Sequence, residues 1–212
     1  MSPPKPSDLA PVQAPRLLLL RHGETRWNRE HRLQGRQNSE LTPRGRLHAA
    51  AQGAILKDLV GTTRFQAVTS PLGRARQTAG IALAPLGLTP AIEPRVQEIS
   101  AGTWEGKTYA EVTGHETASE LPTADLMRLF LNAPEGEGYT NLRTRCRDFL
   151  TSLQGPTIVV THWIALATLR GLLRGLSQEQ VCQLDRQQGV VFEIKEGVEQ
   201  CHHPAAIGTA AL

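Results

Sequence analysis

The chain predicts an α/β fold, a three-layer α/β/α sandwich. Short apolar runs recur and stop abruptly at polar loops, and stretches of helical periodicity alternate with them. The 212 residues, 40% of them hydrophobic, are enough for one core. No repeat, coiled coil or long linker divides the chain, so a single domain over residues 16–212 is expected. Residues 1–15, rich in proline and polar side chains, read as a flexible tail that lacks the apolar stretch of a signal peptide.

Four consecutive leucines at 17–20 suit a strand buried on both faces. It delivers Arg21, His22 and Gly23 to a strand end, where open α/β sheets bind ligands. Gly23 would let the backbone approach that ligand, and Arg21 would keep the imidazole unprotonated while attracting an anion. Thr42 and Pro43 start a helix, continued by Leu47, Ala50, Ala51, Ala54, Ile55 and Leu59. Residues 65–69 form a second strand that runs into Ser70, the expected N-cap, and Pro71, the expected first residue of a helix ending at 83. Arg74 then sits in the first turn, where free amides already favour an anion. A short strand at 91–93 precedes Glu98, and Gly102, Gly106 and Gly114 mark an irregular stretch. Helices follow at 121–131 and 139–153, the second basic through Arg143, Arg145 and Arg147. A third buried strand, 157–160, ends on Thr161 and His162 and is followed by a helix over 164–173. A strand over 189–194 and a turn at Glu196 and Gly197 lead into a last strand.

The formal net charge is +3, and Lys5, Lys57, Lys107 and Lys195 are the only lysines, so arginine, the better fork for phosphate, carries most of the positive charge. Arg26, Arg29, Arg32, Arg36 and Arg44 cluster after the first strand, but 4% aromatic content is too sparse to stack bases, which argues against nucleic acid. No run approaches a membrane span. Cys146, Cys182 and Cys201 are odd in number and form no C-x-x-C pair, which suits a reducing compartment, with the cytoplasm expected, and argues against a thiolate zinc site. His22, His31, His48, His115 and His162 lack metal-ligand spacing, and no metal is expected.

The run from Arg21 to Asn28, followed by Gln34-Gly35 and Leu41-Thr42-Pro43-Arg44-Gly45, resembles the histidine phosphatase superfamily, the phosphoglycerate mutase-like family. The likeness continues through the run from Ser70 to Ala79, Glu98-Ile99 with Gly102-Thr103-Trp104-Glu105-Gly106, Pro134-Glu135-Gly136-Glu137, and Val160-Thr161-His162. The resemblance implies a mixed, mainly parallel sheet flanked by helices, a phosphohistidine intermediate and no metal or other cofactor. By it His22 is the nucleophile, Arg21, Arg74 and His162 complete the phosphate pocket, and Glu98 is the proton donor. Thr25, Asn28, Gln34 and Gly35 are candidates for contacts to the phosphate or the rest of the substrate.

Three departures stand out. Trp163 replaces the small residue that most often follows the second histidine, so its indole could narrow the pocket or redirect His162. Asn38-Ser39-Glu40 replaces an Asp-x-Pro turn, and Glu137-Gly138 lacks a serine. Residues 107–137 read as a lid whose only cations are Lys107 and Arg128, against Glu111, Glu116, Glu120, Asp125, Glu135 and Glu137. A net-negative lid would repel a bisphosphate, which favours hydrolysis of a small phosphorylated substrate over mutase transfer. The alternatives are a cofactor-dependent phosphoglycerate mutase and an inactive phosphate-binding module blocked by Trp163. A homodimer is compatible with this reading.

Overall fold

The structure, a computed structural model, describes residues 10–114 and 121–205. Its strands are β1 (Leu17–Arg21), β2 (Gln66–Thr69), β3 (Ala91–Ile92), β4 (Thr157–Thr161), β5 (Val191–Lys195) and β6 (Val198–His202). They form one sheet in the order β3-β2-β4-β1-β5-β6. The pairs among β3, β2, β4 and β1 are parallel, and β5 and β6 add an antiparallel edge. The sheet is therefore mixed and mainly parallel, as the family resemblance implies.

The helices are α1 (Arg26–Arg29), α2 (Pro43–Val60), α3 (Gly73–Leu83), α4 (Tyr109–Thr113), α5 (Thr123–Leu131), α6 (Tyr139–Ser152), α7 (Trp163–Arg174) and α8 (Gln178–Cys182). Period-two alternation along the central strands sorts the core into two layers. Leu17, Leu19, Val159, Phe192 and Ile194 pack with α5, α6, α7 and α8. Leu18, Leu20, Ile158, Val160 and Val191 pack with α2 and α3. All four leucines of β1 are fully buried, each worth about 1.5–3 kcal/mol.

The expected boundaries need four corrections. Residues 10–15 are not a free tail, because Val12 is buried and its N–H donates to the Leu172 carbonyl at 2.8 Å; residues 1–9 lie outside the described residues. Helix α3 begins at Gly73 with Leu72 in the cap position, so Ser70 does not cap it. Helix α7 begins at Trp163, and β5 begins at Val191. Gly23 faces protein rather than a ligand: a Cβ there would lie 2.1 Å from the Gly45 carbonyl oxygen, and one on Gly45 would lie 2.0 Å from that of Glu24. These two glycines let the loop after β1 lie flat against the first turn of α2. Within the described residues no helix is long and apolar enough to cross a membrane.

Candidate active site

Parallel pairing sets Arg21 opposite Thr161, so β1 and β4 deliver His22 and His162 side by side. The two rings are 5.2 Å apart between centroids, and the His22 N–H donates to the Thr161 carbonyl at 2.9 Å. Two amides hold the first strand end in place. Gln188 donates to the His22 carbonyl at 2.9 Å, and Gln52 donates to the carbonyls of Arg21 at 2.9 Å and Val190 at 3.0 Å.

The Nδ1 of His22 is 2.8 Å from the Gly23 carbonyl, an acceptor that selects the Nδ1–H tautomer and leaves the lone pair on Nε2. Burial, then the positive charges of Arg74 and Arg21, hold His22 well below 6.5, so the lone pair stays free at neutral pH. The expectation that Arg21 suppresses protonation thus holds, with burial the larger cause.

Arg74 is 1% exposed on the first turn of α3 and is fixed by three donations. Its Nε reaches Nε2 of His22 at 3.3 Å, and its terminal nitrogens reach the carbonyls of Gln37 at 2.6 Å and Gly35 at 2.8 Å. Two of the amides at this helix start are occupied: Asn38 accepts from the Arg74 N–H at 2.8 Å and Ser70 accepts from that of Leu72 at 3.2 Å. The guanidinium, not the helix terminus, is what this corner offers an anion. Arg21 donates to the Arg186 carbonyl, while its buried Nε has no acceptor among the described residues. Burial lowers it to about 10, opposed by the charge of Glu98 and reinforced by that of Arg186, so it is a cation at neutral pH.

His162 is fully buried, and its Nε2 lies 2.7 Å from Ser70 Oγ. That contact is the role of Ser70, and it, rather than Trp163, sets the imidazole's orientation. Nδ1 of His162 has no partner among the described residues. Burial and then Arg74 keep this ring well below 6.5 too.

Glu98, 6% exposed, sits at the start of α7. It accepts from the amides of Ala165 at 3.0 Å, Ile164 at 3.2 Å and its neighbour Ile99 at 3.1 Å. The segment before it is clamped by Arg145, whose guanidinium donates to the carbonyls of Arg95 at 2.6 Å and Gln97 at 2.8 Å while pairing with Glu137 at 2.6 Å.

Arg21, His22, Asn28, Gln34, Gly35, Arg74 and Glu98 line one cleft of about 330 Å³, closed by Arg32, Tyr109, Phe130 and Trp163. Eight of the nine sequence candidates either line it or, for His162, lie against a lining ring. Thr25 is the exception: it is fully buried and forms a capping box with Asn28 at the start of α1. Asn28 both caps and lines. Gly35, at φ 51°, contributes the carbonyl that orients Arg74. Trp163 forms a wall, edge-on to Phe130 at 5.9 Å, and leaves the cleft open.

Sequence reasoning missed the supports Gln52, Asn38, Arg145 and Gln188, which act across long separations with no local motif. To the cleft, the described part of the cover contributes the aromatic rings of Tyr109 and Phe130 and no carboxylate. Asp125 pairs with Arg128, Glu137 with Arg145, and Glu111 caps α4; Glu116 and Glu120 lie outside the described residues. Among the described residues no group of three His, Cys, Asp or Glu is arranged to hold a metal.

Known proteins share this arrangement of chain and fold. The probable phosphoglycerate mutase GpmB of Yersinia pestis (strain Pestoides F) is 34% identical over 165 residues, 74% of each chain. That of Erwinia tasmaniensis is 31% identical over 163 residues, again 74% of each. Among solved structures, Bacillus stearothermophilus YhfR superposes with a TM-score of 0.71 at 28% identity, covering 93% of this chain and 98% of that one. A mycobacterial glucosyl-3-phosphoglycerate phosphatase solved with VO3 gives 0.70 at 25% identity, covering 91% and 100%. Residues 17–204, the whole sheet with the strand ends that carry both histidines, match the histidine phosphatase superfamily (branch 1), and the chain belongs to that family.

Proposed function

We propose that the protein hydrolyses a small phosphomonoester through a phosphohistidine on His22. The observation that carries this reading is the convergence on one cleft of an unprotonated imidazole, two guanidiniums and a carboxylate. In the first step, which Glu98 enters as the neutral acid, Nε2 attacks phosphorus, the ester P–O bond breaks, and the departing alkoxide takes the Glu98 proton, leaving the carboxylate. In the second step water attacks the phosphohistidine, the P–N bond breaks, and the water's proton returns to Glu98. Arg21, Arg74 and His162 stabilise the charge spread over the equatorial oxygens during both displacements.

Hydrolysis is favoured over mutase transfer by the cover. A bisphosphate needs cations there, yet Arg128 is bound to Asp125 and Glu179, and neither Arg128 nor Lys107 lines the cleft. The relatives' names divide between mutase and phosphatase, and the neighbour solved with VO3 is named a phosphatase.

The test is phosphate release from a panel of phosphomonoesters, combined with acid-quench trapping of labelled phosphate. The expected result is label that appears on the native protein and then hydrolyses, and none on His22→Ala. Transfer between phosphoglycerates that outpaces release would make the protein a mutase. Bound phosphate without labelling would make it a binding module.

A further inference from the structure

A second cleft of about 780 Å³ adjoins the first and shares Arg21, Asn28, Tyr109 and Trp163 with it. Its other walls are Glu24, His31, Arg186 and Gln188. The Arg186 guanidinium carbon stands 5.5 Å from the centroid of Trp163, and Arg21 stands 6.0 Å from the same ring. Arg186 is half-buried, yet its side chain donates to no acceptor among the described residues, whereas Arg74 makes three donations and Arg145 four. A guanidinium held by cation–π contact keeps its N–H fork free for a carboxylate.

The segment that carries Arg186 is tied to the reacting strand end. Its carbonyl accepts from Arg21, and Gln188 donates to the His22 carbonyl at 2.9 Å. These ties hold the backbone at Arg186 beside the strand end that carries the reacting imidazole. The charge of Arg186 bears on Arg21, so two like charges face this space. Among the described residues the one carboxylate lining the cleft, Glu24, is already engaged by the Thr42 hydroxyl at 2.7 Å and by Arg44 at 3.9 Å.

We propose that this second cleft holds the alcohol portion of the substrate and that Arg186, seated on Trp163, binds a carboxylate carried by it. The proposal rests on the hydrolase reading above and names its substrate class. One free fork matches a monoanion, whereas a second phosphate dianion beside Glu24 would be left partly uncompensated. Trp163, a departure at the sequence level, becomes the platform that sets Arg186.

The test measures phosphate release by the full chain on two matched pairs, 3-phosphoglycerate against glycerol 3-phosphate and phosphoserine against phosphoethanolamine. Within each pair the carboxylate is replaced by a neutral group. The expected kcat/KM ratio favours the carboxylate by about tenfold to a hundredfold, falls to within about twofold of one in Arg186→Met and is partly kept in Arg186→Lys. The ratio cancels any loss common to both substrates, so a weakened variant still reads out correctly. A native ratio near one overturns the proposal without any variant, and so does a ratio unchanged in Arg186→Met. Should no ester release phosphate, the hydrolase reading fails separately. Titration calorimetry of the same pairs then gives Kd ratios judged by the same criteria.

Discussion

The two corners where a parallel strand turns into a helix, β2 into α3 and β4 into α7, present opposite charge. At the second, the amides of Ile164 and Ala165 are taken by the Glu98 carboxylate, so the favourable end of the helix dipole holds an acid of the protein itself. At the first, neutral side chains, Asn38 and Ser70, satisfy the amides, and the charge delivered is the guanidinium of Arg74. The difference teaches that a helix start near a phosphate cleft need not be the phosphate site. Here one start positions a proton carrier and the other positions a cation, and the anion is left to side chains between them.

The largest effect should come from the α7 corner. Glu98→Gln is expected to slow phosphate release from an alkyl ester by about 10²–10⁴-fold, and less from an aryl ester whose leaving group needs no proton. Equal losses on both esters in steady-state assays would break the assignment of Glu98. At the α3 corner, Arg74→Lys keeps the charge but loses the fork onto Gln37 and Gly35, with an expected fall in kcat/KM of about 10²–10³-fold. A near-native value would mean that charge alone suffices there.

Stability against pH sharpens the same comparison, because both corners enclose the two neutral imidazoles. Burial first, then Arg74, holds His22 and His162 well below 6.5 in the folded chain. As pH falls below 6.5 the unfolded chain therefore binds protons that the folded chain refuses, and stability declines. The expected slope approaches about 2.7 kcal/mol per pH unit for the pair, and His22→Gln should roughly halve the contribution in urea unfolding series. A flat profile would mean that both rings charge without unfolding. The smallest effect is at the start of α3: Asn38→Ala, which leaves the Arg74 amide without its acceptor, should cost about 1 kcal/mol with a modest loss of activity.

The sheet was legible because its strands are nearly continuous apolar runs bounded by polar loops, and the residues at their ends could be read with them. His22, Arg74 and His162 were found in this way. What escaped depends on tertiary partners that leave no local trace. Ser70 looks like a helix cap and is instead the partner of His162, since the helix begins three residues later. Gly23 looks like a ligand approach and is instead a close contact with Gly45. Thr25 looks like a phosphate contact and is instead half of a capping box. The charge of the acidic cover also depends on pairing that a count of carboxylates ignores: Glu137 and Asp125 spend their charge on Arg145 and Arg128.

The pairing of Arg21 with Thr161 joins the beginning of the chain to its last third. Side chains alternate across a sheet, so a slip of one residue between these neighbours would send one imidazole to the opposite layer. Turnover is thereby a readout of correct alignment. During refolding, enzymatic signal should lag behind helix formation and return only when the central strands lock, and a fragment ending before β4 should be silent however much helix it retains.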